Sequence, residues 1–133
     1  MTDRTELILL LSSDPVIRKV MEEILLRPGY VVLAEGDLGK AVQRISETVP
    51  DLLIIRPFIE AMTGHQAAIY LRKKAPGMPV LMVGGLPDDD RVTNREELQG
   101  FEIFPKPFSA EDFLARVEEV LAKHAKRVRH HHR

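Results

Sequence analysis

Three short apolar runs constrain this chain more than any other feature: Leu7-Ile8-Leu9-Leu10-Leu11, Leu52-Leu53-Ile54-Ile55 and Val80-Leu81-Met82-Val83. Four or five apolar residues in a row, without alternation, are what a strand needs when both of its faces are covered. Between these runs the period changes. Ile17, Val20, Met21, Ile24 and Leu25 recur at helical spacing, as do Leu38, Ala41, Val42, Ile45 and Val49, and then Ala67, Ala68 and Leu71. A sheet with one wet face has no use for such runs. A parallel sheet between two helical layers does.

Local signals divide the chain further. Asp14-Pro15 reads as an N-cap followed by proline at the first helical position, and Pro28-Gly29 closes that helix. Tyr30 to Ala34 forms a second strand and Asp37 caps a second helix. A loop after Arg56 reaches Gly64, and a third helix ends near Ala75-Pro76-Gly77. Pro79 to Val83 is the fourth strand, Gly84-Gly85-Leu86-Pro87 a loop, and Asp88-Asp89-Asp90 the acidic start of a short polar fourth helix. Glu102 to Phe104 is a fifth strand. Ser109, with Asp112 three residues on, caps a last helix whose buried stripe is Phe113, Val117, Val120 and Leu121. Five strands alternating with five helices predict an α/β, flavodoxin-like, doubly wound parallel sheet of order 2-1-3-4-5. Ligands of such sheets bind outside the carboxyl ends of the strands, between strands 1 and 3. The topology therefore gathers Ser12, Ser13, Arg56, Gly84 and Lys106 in one small area.

Composition excludes several classes of function. The 133 residues suffice for one domain with a core, and there is no cysteine for disulfide, thiol or thiolate-metal chemistry. The apolar run Leu7 to Leu11 is too short to span a membrane or to serve as a signal segment, so a cytoplasmic protein is expected. Net charge is −1, which gives no overall pull toward nucleic acid or acidic membranes, and neither is expected as a partner. Residues 1–125 read as the domain. Residues 126–133 read as a basic, His-rich tail or tag remnant, since His130-His131-His132 has no second ligand set to define a metal site.

The order of these segments resembles a bacterial two-component receiver domain over roughly residues 5 to 122. The resemblance is carried by Ile8 to Arg18 (ILLLSSDPVIR), Pro50 to Ile55 (PDLLII), Gly64, Pro79 to Val83 (PVLMV) and Phe104-Pro105-Lys106-Pro107-Phe108. It implies that an acidic pair should follow the first strand, an acceptor aspartate end the third, a hydroxyl follow the fourth and an aromatic switch precede the lysine. It also implies a cis bond at Lys106-Pro107. Here those positions hold Ser12 and Ser13, Arg56, Gly84 and Ile103, and of the reactive set only Lys106 remains. Magnesium needs hard, preferably anionic oxygen ligands, and a guanidinium offers neither a ligand nor a nucleophile. Asp51 lies five residues back, about 16 Å away along an extended strand.

The expectation is a degenerate receiver with no catalytic residue, no metal and no cofactor. It is expected to act by binding signalling proteins without being phosphorylated, and not as an enzyme. Arg56 is expected to top its strand and reach solvent beside Asp14 or Glu60. Two alternatives remain open: a phosphorylatable receiver with an unusual acceptor, and a small-anion site built from Arg56, Lys106, Ser12 and Ser13. The resemblance implies a partner or homodimer surface on the fourth helix, fifth strand and last helix. Here that surface comprises Arg91, Val92, Arg95, Glu96, Phe101, Ile103, Arg116 and Glu119, with Val92 and Phe101 either at its apolar centre or packed inward.

Overall fold

The structure, a computed structural model, describes residues 6–56, 58–59, 62–83, 101–104 and 109–131. A five-stranded parallel sheet forms its centre, its strands lying side by side in the order Val31–Glu35, Leu7–Leu11, Leu52–Ile55, Val80–Val83 and Phe101–Phe104. The strands are β1 (Leu7–Leu11), β2 (Val31–Glu35), β3 (Leu52–Ile55), β6 (Val80–Val83) and β7 (Phe101–Phe104). Leu9 pairs with Leu33 on one side and Leu53 on the other, and Ile54 with Leu81, so β3 lies between β1 and β6.

Alternate residues of the continuous apolar runs supply two cores. Ile8, Leu10, Leu52, Ile54, Leu81 and Val83 face one way, against α1 (Pro15–Leu26) and α4 (Ala110–His131). Leu9, Leu11, Leu53, Ile55, Val80 and Met82 face the other way, against α2 (Leu38–Glu47) and α3 (Gly64–Lys74). Every residue of β3 is fully buried, as is Phe113 of α4. Each such side chain contributes on the order of 1.5–3 kcal/mol by leaving water.

The helix starts follow the side chains available to cap them. The N–H groups of Val16 and Ile17 donate to Asp14 Oδ1 at 2.9 and 3.2 Å, and that of Lys40 donates to Asp37 Oδ1 at 2.8 Å. The Asp112 N–H donates to Ser109 Oγ at 3.1 Å. Gly29 turns the chain after α1 with φ 102°, a left-handed conformation that side chains disfavour.

The structure departs from the sequence reading in several places. The segment expected as a loop between Arg56 and Gly64 contains an antiparallel pair, β4 (Phe58–Ile59) with β5 (Met62–Thr63). α3 begins at Gly64, earlier than its apolar positions suggest, because Thr63 and Gln66 form a reciprocal capping box. Val49 lies outside its helix and is exposed, since α2 ends at Glu47 and Thr48 is extended. Val20, expected in the α1 stripe, is 51% exposed, and the stripe is carried by Met21, Ile24 and Leu25. α4 runs from Ala110 to His131. Four helices lie among the described residues. The expected Gly84 to Pro87 loop, the short helix after Asp88 and the Lys106-Pro107 bond lie outside them.

Candidate functional site

β1 and β3 end side by side at the carboxyl edge of the sheet. The Arg56 N–H donates to Leu11 O at 3.3 Å, which places Arg56 immediately beyond β3 beside the start of the β1–α1 loop. The opposite edge is marked by Asp51, whose Oδ2 accepts the Leu7 N–H at 2.8 Å. The fully buried strand β3 separates the two residues.

The Arg56 side chain crosses the edge rather than leaving it. Its Nη1 donates to the Val83 carbonyl, the last of β6, at 3.1 Å. The guanidinium therefore ties the end of β3 to the end of β6. Burial lowers the Arg56 pKa from its ordinary value, and the charge of Asp14 opposes that shift through space. Among the described residues no carboxylate forms a direct ion pair with it. In place of the expected pairing with Asp14 the guanidinium bonds a strand-end carbonyl, and Glu60, the other expected partner, lies outside the described residues. Asp14 has a different task, since its Oδ1 caps α1.

Ser12 and Ser13 differ in their surroundings. Ser12 is fully buried, its N–H donates to Glu35 O at 3.1 Å, and its hydroxyl is directed at Asp14 O at 3.4 Å. Ser13 is exposed. A residue that the sequence reading passed over holds this turn in place. Arg18 Nη1 donates to Ser12 O at 2.8 Å, and its guanidinium occupies the space where a side chain on Gly36 would begin. A Cβ at Gly36 would stand 2.5 Å from Arg18 Nη1. Beside it, Glu35 Oε2 accepts from Arg44 Nε at 2.7 Å, and that bond holds the Arg44 pKa above its ordinary value. In sequence Arg18 reads as an ordinary solvated position of an amphipathic helix, so nothing local signals its role.

Of the remaining site positions, Ile103 lies in β7 in register with Met82, while Gly84 and Lys106 fall outside the described residues. On the expected partner surface, Phe101 pairs in register with Val80, and Arg116 Nη1 bonds Glu119 Oε1 at 2.9 Å. Arg91, Val92, Arg95 and Glu96 fall outside the described residues.

The response regulator receiver domain family matches residues 8–118, most of the chain and all of this edge. The chain belongs to that family, the receiving module of two-component signalling. Among curated proteins it is 29% identical over 119 residues to the probable transcriptional regulator ycf27 of Guillardia theta, covering 89% of this chain and 46% of that protein. It is 30% identical over 121 residues to the transcriptional regulatory protein YbdJ of Bacillus subtilis, covering 88% and 51%. The chain thus spans about half the length of these curated relatives. In fold it is similar to the CheY-like receiver domain of Methanospirillum hungatei, with TM-score 0.81 and 24% identity over 92% of this chain and 98% of that one.

Two substitutions test this geometry. Arg56→Met keeps an apolar stem and removes the donor to Val83 O. The loss is held to about 0.5–1.5 kcal/mol because the guanidinium no longer has to be desolvated. Urea denaturation reads this, and a loss above about 3 kcal/mol would mean that Arg56 supports far more than one strand end. Gly36→Ala pushes the Arg18 guanidinium off Ser12 O and costs about 1 kcal/mol. In an Arg18→Ala background the same change should cost almost nothing, and full additivity in that double-mutant cycle would contradict the coupling.

Proposed function

We propose that this receiver domain transmits its signal by binding other proteins and is never itself phosphorylated. One observation carries the reading: the guanidinium of Arg56, bonded to Val83 O, takes the place at the end of β3 where the family resemblance expects a carboxylate. Phosphoryl transfer to a side chain needs an oxygen nucleophile and cations at the transferring oxygens. Arg56 only donates hydrogen bonds and stays charged. Asp51, the nearest acid along the strand, caps the opposite edge of the sheet.

The donor set does not fit magnesium either. Ser12 is buried with its hydroxyl turned toward a backbone carbonyl, Ser13 is a neutral hydroxyl, and the nearby Asp14 spends one oxygen on two helix N–H groups. A fixed positive charge beside them repels a divalent cation. The same facts weigh against the small-anion reading. Ser12 is fully buried with its hydroxyl directed at Asp14 O, and the charge of Asp14 already offsets part of that of Arg56.

In this reading the domain is not an enzyme, needs no cofactor and works in the cytoplasm. Among the described residues no helix is long and apolar enough to cross a membrane. The curated relatives are regulators of transcription, so the natural context is a control pathway in which this domain is a fixed docking module and has no phosphorylation-driven switch. In this reading the partner surface comprises β7, the face of α4 around Arg116 and Glu119, and the sequence segment containing Arg91, Val92 and Arg95.

The test is incubation with acetyl phosphate and Mg²⁺, followed by intact-mass and peptide mapping. No phosphoryl adduct should form on the purified chain, and Arg56→Asp alone should remain inactive because Ser12 and Ser13 still leave the metal unbound. A stoichiometric adduct on any carboxylate at the carboxyl edge would overturn the proposal.

A further inference from the structure

The net charge of −1 averages two unlike parts. Five of the 19 Lys and Arg residues (Lys123, Lys126, Arg127, Arg129 and Arg133) follow Ala122, whereas none of the 20 acids does. Residues 1–122 therefore hold 14 cations against 20 acids, and the end of the chain is purely cationic.

That end is helical through His131, because α4 runs unbroken from Ala110. The last of its described buried residues is Leu121; Ala122 and Lys123 are already exposed. From Ala122 to His131 the helix extends about 15 Å at 1.5 Å per residue. Lys123, Lys126 and Arg127, at i, i+3 and i+4, fall on one side of it, and Arg129, three residues after Lys126, adjoins them. Cations at a helix carboxyl end also favour the helix through its dipole. The extension holds one large apolar residue, Val128, so it lacks the apolar face that an interfacial membrane helix needs.

We propose that this extension of α4 docks on the phosphate backbone of duplex DNA, independently of base sequence. Duplex DNA presents about one negative charge per 1.7 Å of axis, and its major groove, about 12 Å wide, admits a helix. A cationic helix about 15 Å long with no acid on it complements that surface. An acidic protein patch would match it only if it held a comparable linear density of charge. The inference goes beyond the protein-docking role proposed above and does not depend on it, since none of its residues lies at the Arg56 edge.

The experiment is fluorescence anisotropy of the whole chain with a labelled, arbitrary-sequence duplex of about two helical turns. The unmodified chain should bind at low salt and lose roughly a hundredfold in affinity between about 50 and 200 mM salt, as four phosphate contacts require. A variant carrying Lys126→Gln, Arg127→Gln and Arg129→Gln should bind at least about tenfold more weakly with a shallower salt slope. Its melting temperature should be unchanged, because these positions follow Leu121. A second variant with His130→Ala, His131→Ala and His132→Ala should bind like the unmodified chain at pH 8, which separates the cations from the histidine run. Absence of binding at low salt, or undiminished binding by the Gln variant, would overturn the proposal. So would tighter capture by phosphatidylserine vesicles than by the duplex. Cation-dependent self-association in sedimentation velocity, without DNA binding, would assign the extension to the acidic body of a second copy instead.

Discussion

The structure depends on the double burial of β3. Strands β1 and β6 pair with it on either side and helices cover both of its faces, so Leu52 to Ile55 are all removed from water. This pairing fixes the register of its neighbours and leaves one position, the residue after Ile55, at the middle of the carboxyl edge. A parallel sheet has its crevice there. Whatever side chain stands at 56 sets the charge of the crevice.

A guanidinium at that place has two consequences. It carries a permanent positive charge that burial disfavours and that Asp14 partly compensates, and it spends a donor on the last carbonyl of β6. The chain around it is correspondingly closed. Ser12 is held by Glu35 O, by Arg18 and by its own hydroxyl contact, and the Glu35–Arg44 pair lies alongside. Surface ion pairs of this kind are worth little singly. Arg18 contributes by geometry, because its guanidinium bonds the Ser12 carbonyl while lying against Gly36, in space that a side chain there would take. An edge fixed in this manner suits a constant docking face better than a switch.

Much of this was legible in the sequence, for identifiable reasons. Continuous apolar runs specify doubly covered strands, and β1 and β3 begin and end where those runs do. Asp14, Asp37 and Ser109 announce their helices because a short polar side chain before an amphipathic stretch has few other uses. The short pair β4–β5 was not legible, since two-residue strands carry no period, and the Thr63–Gln66 box went unread because the helix was located by its apolar positions farther on. The position of Arg56 followed from topology, but its partner did not. A bond to a backbone carbonyl 27 residues away leaves no trace in side-chain identity. Arg18 was hidden for the same reason, as its acceptor is the carbonyl of Ser12.

The central claim is that the carboxyl edge exists in one state, held by Arg56, and does not respond to the ligands that switch a receiver. The most direct measurement is the NMR spectrum of the ¹⁵N-labelled chain, including the Arg56 Nε–Hε signal, before and after adding Mg²⁺ with beryllofluoride. The account predicts no saturable shift at residues 12–14, 56 or 83. Saturable shifts centred on those residues would show that the edge still binds metal and a phosphoryl mimic, and would contradict it.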